Sequence, residues 1–379
     1  MAKKSDDRKD VVILGGGGYG ITLAGDLTKK LDSSKYNLTL VSARPYYIHL
    51  VAAIRFTVTD EGKLEDRAFI PLDKLFASGN GTVVQGKVTA IEEVGEGKGG
   101  ELLLETGEKI HYDTLILATG SNWPGPVGFP DSDNDIRSFL DSARSKYAAA
   151  KEIVFIGGGA LGIETAGEVR DSFPDKKVTI VHGDDQLLNN TYPAKFRKTI
   201  TQKVLARGVH LVLNDYIDNI PAEGTVGLTT RNGHSIPGAD LVIPTFGPRP
   251  NTSIISSLGS DVLTERGHVK VNPTLEVTGH PGIFAMGDII EWKEQKQLGK
   301  APGHVGVVSA NVLSYLAGKP LAKVYKSPPE MIVIPIGRNG GGSYLDILWG
   351  IQLGDWITSF AKGQGLFISM YRKMLGYTD

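Results

Sequence analysis

Short runs of consecutive apolar residues alternate along the chain with glycine-rich punctuation and longer periodic stretches. Val11–Leu14 is such a run, followed by four glycines and then by Ile21, Leu23 and Ala24. A run apolar at every position predicts a strand buried on both faces, and the stretch after it predicts a helix. The pattern returns 142 residues later, where Ile153–Val169 (IVFIGGGALGIETAGEV) superimposes on Val11–Leu27 (VVILGGGGYGITLAGDL) without a gap. Each copy precedes another apolar run, Leu38–Val41 and Val178–Val181. Further buried strands are expected at Leu115–Leu117, within Ala239–Gly247 and at Ile283–Ala285. Thr82–Val84, Val88–Ile91 and Glu101–Glu105, with glycine-rich turns between them, predict a small antiparallel excursion. Strand alternating with helix makes an α/β fold. In the tail, Trp349, Leu353, Trp356, Ile357 and Phe360 recur at helical spacing, with Asp346 and Asp355 off the stripe. Phe367, Met370, Tyr371, Met374 and Leu375 repeat the pattern against Arg372 and Lys373. Both read as amphipathic helices, the first packing inward and the second lying at the surface.

The glycines carry the first chemical information. Gly15, Gly17 and Gly20 fall on a GxGxxG spacing between strand and helix, as do Gly157, Gly159 and Gly162. The first glycine of such a loop permits the tight turn, the second lets the backbone approach a pyrophosphate, and the third lets helix and strand pack closely. One copy would equally suit an ordinary turn. Two copies in register ask for two nucleotides, and the economical reason is electron transfer between a bound flavin and a visiting nicotinamide. His111–Ser121 (HYDTLILATGS) ends a strand at Thr119-Gly120, and Ala239–Gly247 with Pro248–Asn251 echoes it. The chain is therefore expected to leave a first unit near residue 122, build a second over 123–243, and return. Gly279–Asp288 (GHPGIFAMGD) delivers Gly287 and Asp288 at the end of a strand, where ligands of open sheets bind. Asp288 can accept bonds from ribitol hydroxyls, and Gly287 can let the backbone close on the pyrophosphate.

Three positions depart from the simplest dinucleotide pattern. Ser42 stands where an acidic residue usually meets the adenosine ribose, which puts that contact in doubt. His182 stands at the matching place in the second copy; without a carboxylate there the site loses its main device for rejecting a 2′-phosphate, so use of both NADH and NADPH is expected. Asp184 and Asp185 nearby argue against strong preference for NADPH. Glu164, whose counterpart in the first copy is Thr22, lies in the first helical turn: it suits either the nicotinamide carboxamide or ribose, or a simple interaction with the helix dipole.

Composition narrows the chemistry. A length of 379 residues has room for two to three domains, and a formal charge of −1 leaves no basic footprint for nucleic acid. There is no cysteine. Structural disulfides, zinc-thiolate sites and redox-disulfide chemistry are excluded, so an acceptor must take electrons from the flavin directly, and no metal site is expected. No apolar window of about 18 residues predicts a membrane-spanning helix. The polar N-terminus lacks a signal core, and Ala2 rather than glycine follows Met1, which argues against N-myristoylation.

With the motifs above, Val51–Arg55 (VAAIR), Val178–His182 (VTIVH), His304 with Ala310-Asn311, Gly337–Gly341 (GRNGG) and Lys362–Phe367 (KGQGLF) complete a set that resembles the two-dinucleotide-binding flavoproteins over roughly the whole chain. Within them it is similar to the apoptosis-inducing-factor-like group, its ferroptosis-suppressor branch and fungal relatives. The resemblance implies two Rossmann-like domains in a glutathione-reductase-like arrangement plus a C-terminal α+β segment. Residues 1–122 and 244–325 would bind FAD, 123–243 NADH or NADPH, and 326–379 would face quinone and membrane. Gly15, Gly17, Gly20, Ser42, Arg55, Val88, Thr119, Gly120, Gly287 and Asp288 would line the FAD site, and Gly157, Gly159, Gly162, Glu164, His182 and Gly247 the NAD(P)H site. Glu164, Lys362, Phe367 and His304 are the catalytic candidates. Lys362 could stabilise charge on the reduced ring and Phe367 line a quinone slot; a solvated lysine and a core phenylalanine remain open, and His304 and Arg55 could be structural. The implied activity is reduction of a ubiquinone-type quinone by NAD(P)H, a membrane antioxidant role. A cytoplasmic protein in peripheral contact with a membrane is expected, with a possible homodimer through the C-terminal segment. The alternatives are a reductase of a soluble carrier of the ferredoxin or rubredoxin type, and a nicotinamide-sensing interaction protein.

Overall fold

The computed structural model describes residues 7–77 and 79–378. Met1 and Ala2, on which the expectation about lipidation rests, lie outside the described residues. Two parallel sheets carry the chain. The first has five strands, in the order Ile283–Ala285, Thr114–Leu117, Lys9–Leu14, Tyr36–Ser42 and Thr82–Gln85. Val11 pairs with Leu38 on one side and Thr114 on the other, and Leu115 pairs with Ile283. The second has four, in the order Val209–Leu213, Lys177–His182, Glu152–Ile156 and Leu241–Pro244. Their central runs are apolar without alternation because both faces are covered, by helices and, on the first sheet, by the antiparallel excursion, and on the second by the Leu228–Thr229 and Ser235–Ile236 pair: Val11, Ile13, Ile153, Val154 and Phe155 are fully buried. The excursion is a three-stranded antiparallel sheet of Val88–Glu93, Gly100–Leu104 and Lys109–Tyr112; Thr82–Gln85 instead joins the first parallel sheet.

The chain crosses between the sheets on two adjacent strands. Ser121-Asn122 pairs antiparallel with Arg249-Pro250, and just before it Thr119 Oγ1 donates to the Asn251 carbonyl while the Asn251 N–H donates to Gly120 O at 2.9 Å. Thr119 and Gly120 thus act as the clasp of this crossing. The left-handed φ of +71° at Gly120 makes the turn that a side chain would oppose.

The tail departs from its pattern. Leu345–Phe360 is not one helix but the end of a hairpin, Gly341–Leu345 against Ile351–Leu353, then a short helix Asp355–Thr358 and a π-helical turn Ser359–Gly363. Leu348 and Gly350 take φ of +57° and +82° at the hairpin tip, a reversal that breaks a helix whatever the spacing of the apolar residues. Inside and outside are also exchanged. Trp349 is 97 % exposed, Trp356 78 % and Phe360 77 %, whereas the helix Ile368–Met374 buries Ile368 and Tyr371 and is followed by buried Leu375. The segment has no separate core among the described residues. Ile334, Ile336 and Tyr344 pack with the second sheet, Tyr371 and Leu375 with the first, and Leu366 and Ile368 with Ala52, Ala53 and Phe56.

Candidate active site

The two glycine loops are built alike to the last backbone bond. Gly15 N–H donates to Val41 O and Gly157 N–H to Val181 O, both at 2.9 Å. Gly15 and Gly157 take φ of +124° and +113°, and a Cβ on Gly15 would stand 2.3 Å from Ala118 O. A Cβ on Gly20 or Gly162 would stand 1.8 or 2.2 Å from the carbonyl of Gly15 or Gly157, so each must lack a side chain for helix to meet strand. Gly17 and Gly159 differ: both are extended, and a Cβ there would meet no protein atom within 4 Å. That open ground before a helix N-terminus is a cradle of the size and sign for a pyrophosphate, so both loops fit a bound dinucleotide.

Around the first loop, Ser42 Oγ lies where a Cβ on Gly16 would fall, but it donates to Arg44 O at 2.7 Å rather than presenting itself outward. Val88 is buried opposite Leu104 at the start of the excursion. Asp288 follows the strand Ile283–Ala285 and accepts from Ser121 Oγ at 2.8 Å; burial pushes its carboxyl above the usual range, against the pull of Ser121 and Lys296. Gly287 does not offer its N–H to a phosphate. It donates to His304 Nδ1 at 3.1 Å, and its φ of +81° lets the backbone lie over the Tyr19 ring. His304, fully buried, spends its other nitrogen on Glu294 at 2.9 Å and is wedged edge-on between Tyr19 and Tyr325. With both nitrogens engaged, it supports the Gly287-Asp288 loop instead of meeting a substrate. Burial would raise the Glu294 carboxyl, but the bonds from His304 and Tyr325 hold it down to about 2.

At the second loop, Glu164 meets a residue 198 positions away. Lys362 Nζ donates to both Glu164 oxygens at 2.8 Å and to Val333 O at 3.2 Å. Burial, with Glu168 next to it, raises the Glu164 carboxyl, and Lys362 opposes that rise. Arg55 is a structural group: it grips Glu168 through two bonds of 2.7 Å and donates to Gly363 O and Gln364 O. His49 Nε2 donates to Leu366 O at 2.6 Å while Nδ1 accepts from Tyr47. Arg55 and His49 thereby pin a strained turn in which Leu366 and Phe367 both have left-handed φ, +47° and +60°. The turn presents Lys362 inward and leaves Phe367 half-buried against the first core. Beside the second loop, Thr245 Oγ1 donates to Ile156 O and Gly157 O, and Gly247 faces open space.

Sequence reasoning missed Glu168 and His49. Glu168 lies one helical turn beyond Glu164, and two acids at that spacing in an otherwise small and apolar helix were the available signal. His49 had none, because its partners come from the far end of the chain. A cavity of about 500 Å³ between the Thr264–His268 turn and the Ile290–Lys296 loop also went unforeseen; Trp292 and Lys296 line it, and Lys296 donates to Ile290 O at 2.9 Å.

Comparison with known proteins agrees with this geometry. The family profile of pyridine nucleotide-disulphide oxidoreductases matches residues 5–306. The FAD-dependent oxidoreductase FVFD30 of Flammulina velutipes is 46 % identical over 84 % of this chain and 98 % of its own. Ferroptosis suppressor protein 1 of Xenopus tropicalis is 32 % identical over 97 % of this chain and 96 % of its own. The sulfide:quinone oxidoreductase of Aquifex aeolicus superimposes with a TM-score of 0.78 over 97 % of this chain and 92 % of its own, at 17 % identity, a likeness of fold.

Proposed function

The chain belongs to the pyridine nucleotide-disulphide oxidoreductase family and is an oxidoreductase that works with FAD and NAD(P)H, and on that footing we propose that it reduces a ubiquinone-type quinone to the hydroquinone. The observation that carries the reading is the segment Asp355–Phe367. On its outer side Trp356 and Phe360 stack with centroids 6.2 Å apart and face solvent; on its inner side Lys362 reaches Glu164. Such a segment suits an acceptor that is apolar along its length and carries carbonyl oxygen at its head. Bound FAD supplies the two-electron store between donor and acceptor.

The protein's own contribution is charge placement. Lys362 Nζ is a cation fixed by three bonds, able to favour developing negative charge without reorganising. Glu164, at the mouth of the second loop, is the group to orient a nicotinamide, and its raised pKa lets it hold a proton at a carboxyl oxygen more readily than an exposed glutamate. With no cysteine in the chain, the disulphide chemistry in the family's name has no place here.

The same segment together with the neighbouring hairpin tip supports peripheral contact with a lipid surface. Ile347, Leu348, Trp349, Trp356 and Phe360 are exposed, while the acids among them are engaged: Asp355 with Lys203 and the Gly341 N–H, and Asp346 with the Tyr344 hydroxyl. Lys195 and Lys198 are exposed on the helix Ala194–Ala206, whose Phe196 packs on Tyr344 under the hairpin, which suits anionic headgroups. No helix among the described residues is long and apolar enough to cross a membrane.

The test is anaerobic stopped-flow absorbance in the flavin band, with NADH or NADPH added first and a short-chain ubiquinone second. Rapid bleaching and rapid recovery are expected. Bleaching that persists in quinone would overturn the assignment in favour of a protein acceptor or a signalling role.

A further inference from the structure

The chain passes between the two parallel sheets at the paired strands Ser121-Asn122 and Arg249-Pro250. Two units joined by a pair of strands turn against each other unless further contacts hold them. One such contact starts beside the second glycine loop. There the segment 186–192 is bolted down by Arg197, a buried guanidinium that donates to the carbonyls of Gln186, Leu187 and Leu188 and to Asn190 Oδ1. Leu188 N–H donates to Gly158 O at 2.8 Å, while Gly158 N–H donates to His182 Nδ1 at 3.1 Å, so the glycine loop is held by this segment as well as by its own strand. Leu188 is buried and takes φ of +65°, a conformation that a bulky residue keeps only where its surroundings fix it.

The far end of this strap reaches the first unit. Asn189 Nδ2 donates to Gln295 Oε1 at 3.0 Å, Gln295 Nε2 to Thr191 Oγ1 at 2.9 Å, and Gln297 Nε2 to the Tyr192 hydroxyl at 2.9 Å. Gln297 is in turn fixed beside the first glycine loop: its carbonyl accepts from the Tyr19 hydroxyl at 2.8 Å, and a Cβ on Gly18 would stand 2.3 Å from the side chain of Leu298. Bonds and backbone therefore run without a break from one glycine loop to the other. Asn189 and Thr191 are exposed, so the seam is held by the geometry of neutral amides and hydroxyls and contributes little by burial.

We infer that this strap is a clamp that fixes the register between the two dinucleotides, with Thr191, Tyr192, Gln295 and Gln297 as positioning residues for hydride transfer. The inference rests on the first loop holding FAD and the second NAD(P)H. In the transfer a C–H bond of the dihydronicotinamide breaks and its electron pair forms the new bond to the flavin, which is reduced as the nicotinamide is oxidised. No protein group has to accept that hydrogen, so what the fold supplies is distance and angle, and a misplacement of ~1 Å costs on the order of a hundredfold.

The test combines amide hydrogen exchange of the FAD-loaded protein with anaerobic single-turnover bleaching by NADH over a range of concentrations. Thr191→Val with Tyr192→Phe removes two oxygen atoms and no bulk. Exchange should quicken over 186–192, and the limiting rate of bleaching should fall by about tenfold with the NADH dissociation constant unchanged. Gln295→Ala, which cuts the seam from the other side, should act in the same direction, and Thr191→Ser, which keeps the hydroxyl, should match the wild type. Reoxidation of the dithionite-reduced flavin by quinone should keep its rate in all of them. An unchanged limiting rate beside faster exchange would overturn the inference and make the strap a brace of the fold; weaker NADH binding at an unchanged limiting rate would overturn it in favour of a part in nicotinamide binding. A wild-type flavin that NADH does not bleach would overturn the reading of the two loops, and the inference with it.

Discussion

Lys362 and Glu164 illustrate how much a single contact has to carry here. Glu164 is buried and Lys362 largely covered, and each is the other's charge partner. Removing one leaves an uncompensated charge in the interior, which in comparable pairs costs about 3–5 kcal/mol. Lys362→Met should therefore lower the thermal midpoint sharply, and adding Glu164→Gln should restore part of the loss, a coupling that a double-mutant cycle by calorimetry would measure. Because Glu164 also serves the nicotinamide, the role of Lys362 is read in the second half-reaction: the dithionite-reduced double variant should be reoxidised by quinone more slowly than reduced Glu164→Gln alone, and equally fast if Lys362 serves only the fold. His49 sets the response to acid. Burial pushes its imidazole down to about 4, against the bond to Leu366 O, with Lys362 adding to the effect. The unfolded chain takes up that proton from about pH 6.5 while the folded protein resists until about 4, so the unfolded state binds more protons in between and stability falls as pH falls. At about 1.4 kcal/mol per unit, His49 accounts for roughly 3 kcal/mol of that loss. His49→Gln should flatten the thermal midpoint between pH 6.5 and 4, although it costs stability at neutral pH.

At the scale of elements, the strand, glycine loop and helix form the unit that is used twice. The two copies separate structural glycines from ligand glycines. A Cβ at Gly15 collides with the backbone of Ala118, whereas one at Gly17 enters space that no protein atom fills. Gly15→Ala should therefore compromise folding, seen as loss of cooperative unfolding. Gly17→Ala should fold with a wild-type circular dichroism spectrum yet retain little flavin, read as the ratio of flavin to protein absorbance. The turn Gly363–Phe367 is a different kind of element. It has neither repeat nor regular structure, and it holds two residues in left-handed conformation because Arg55 and His49 bind its carbonyls. Its strain is sustained from the opposite end of the chain.

For the whole molecule, the two sheets, the double crossing and the tail bring the second loop and the C-terminal turn to one place. The exposed aromatic tip stands outside that place and belongs to neither core. Replacing Trp349, Trp356 and Phe360 by serine should abolish flotation with vesicles of phosphatidylcholine and phosphatidylserine, slow reduction of a long-chain quinone held in those vesicles, and leave reduction of a short-chain quinone in solution near its original rate. A change in sedimentation from dimer to monomer, with flotation intact, would instead make this tip a contact between two copies of the chain.

Much of this architecture was legible in the order of residues. Uninterrupted apolar runs, two glycine loops in register and the Gly287-Asp288 signal are local patterns, and local patterns survive without a fold because backbone geometry and short-range packing impose them. The parallel sheets and both nucleotide loops follow from that. The pairing of Glu164 with Lys362 and the engagement of Arg55 by Glu168 do not, since each joins segments more than a hundred positions apart. Nor did the sequence alone reveal that His304 supports a loop, because a histidine's role depends on what occupies its two nitrogens. The tail was misread for a related reason. Apolar spacing reports which residues share a helical face only if the chain stays helical, and the reversal at Leu348–Gly350 is set by the hairpin's packing on the second core. Periodicity could name the aromatic residues; only tertiary contacts decided which of them face the protein and which face outward.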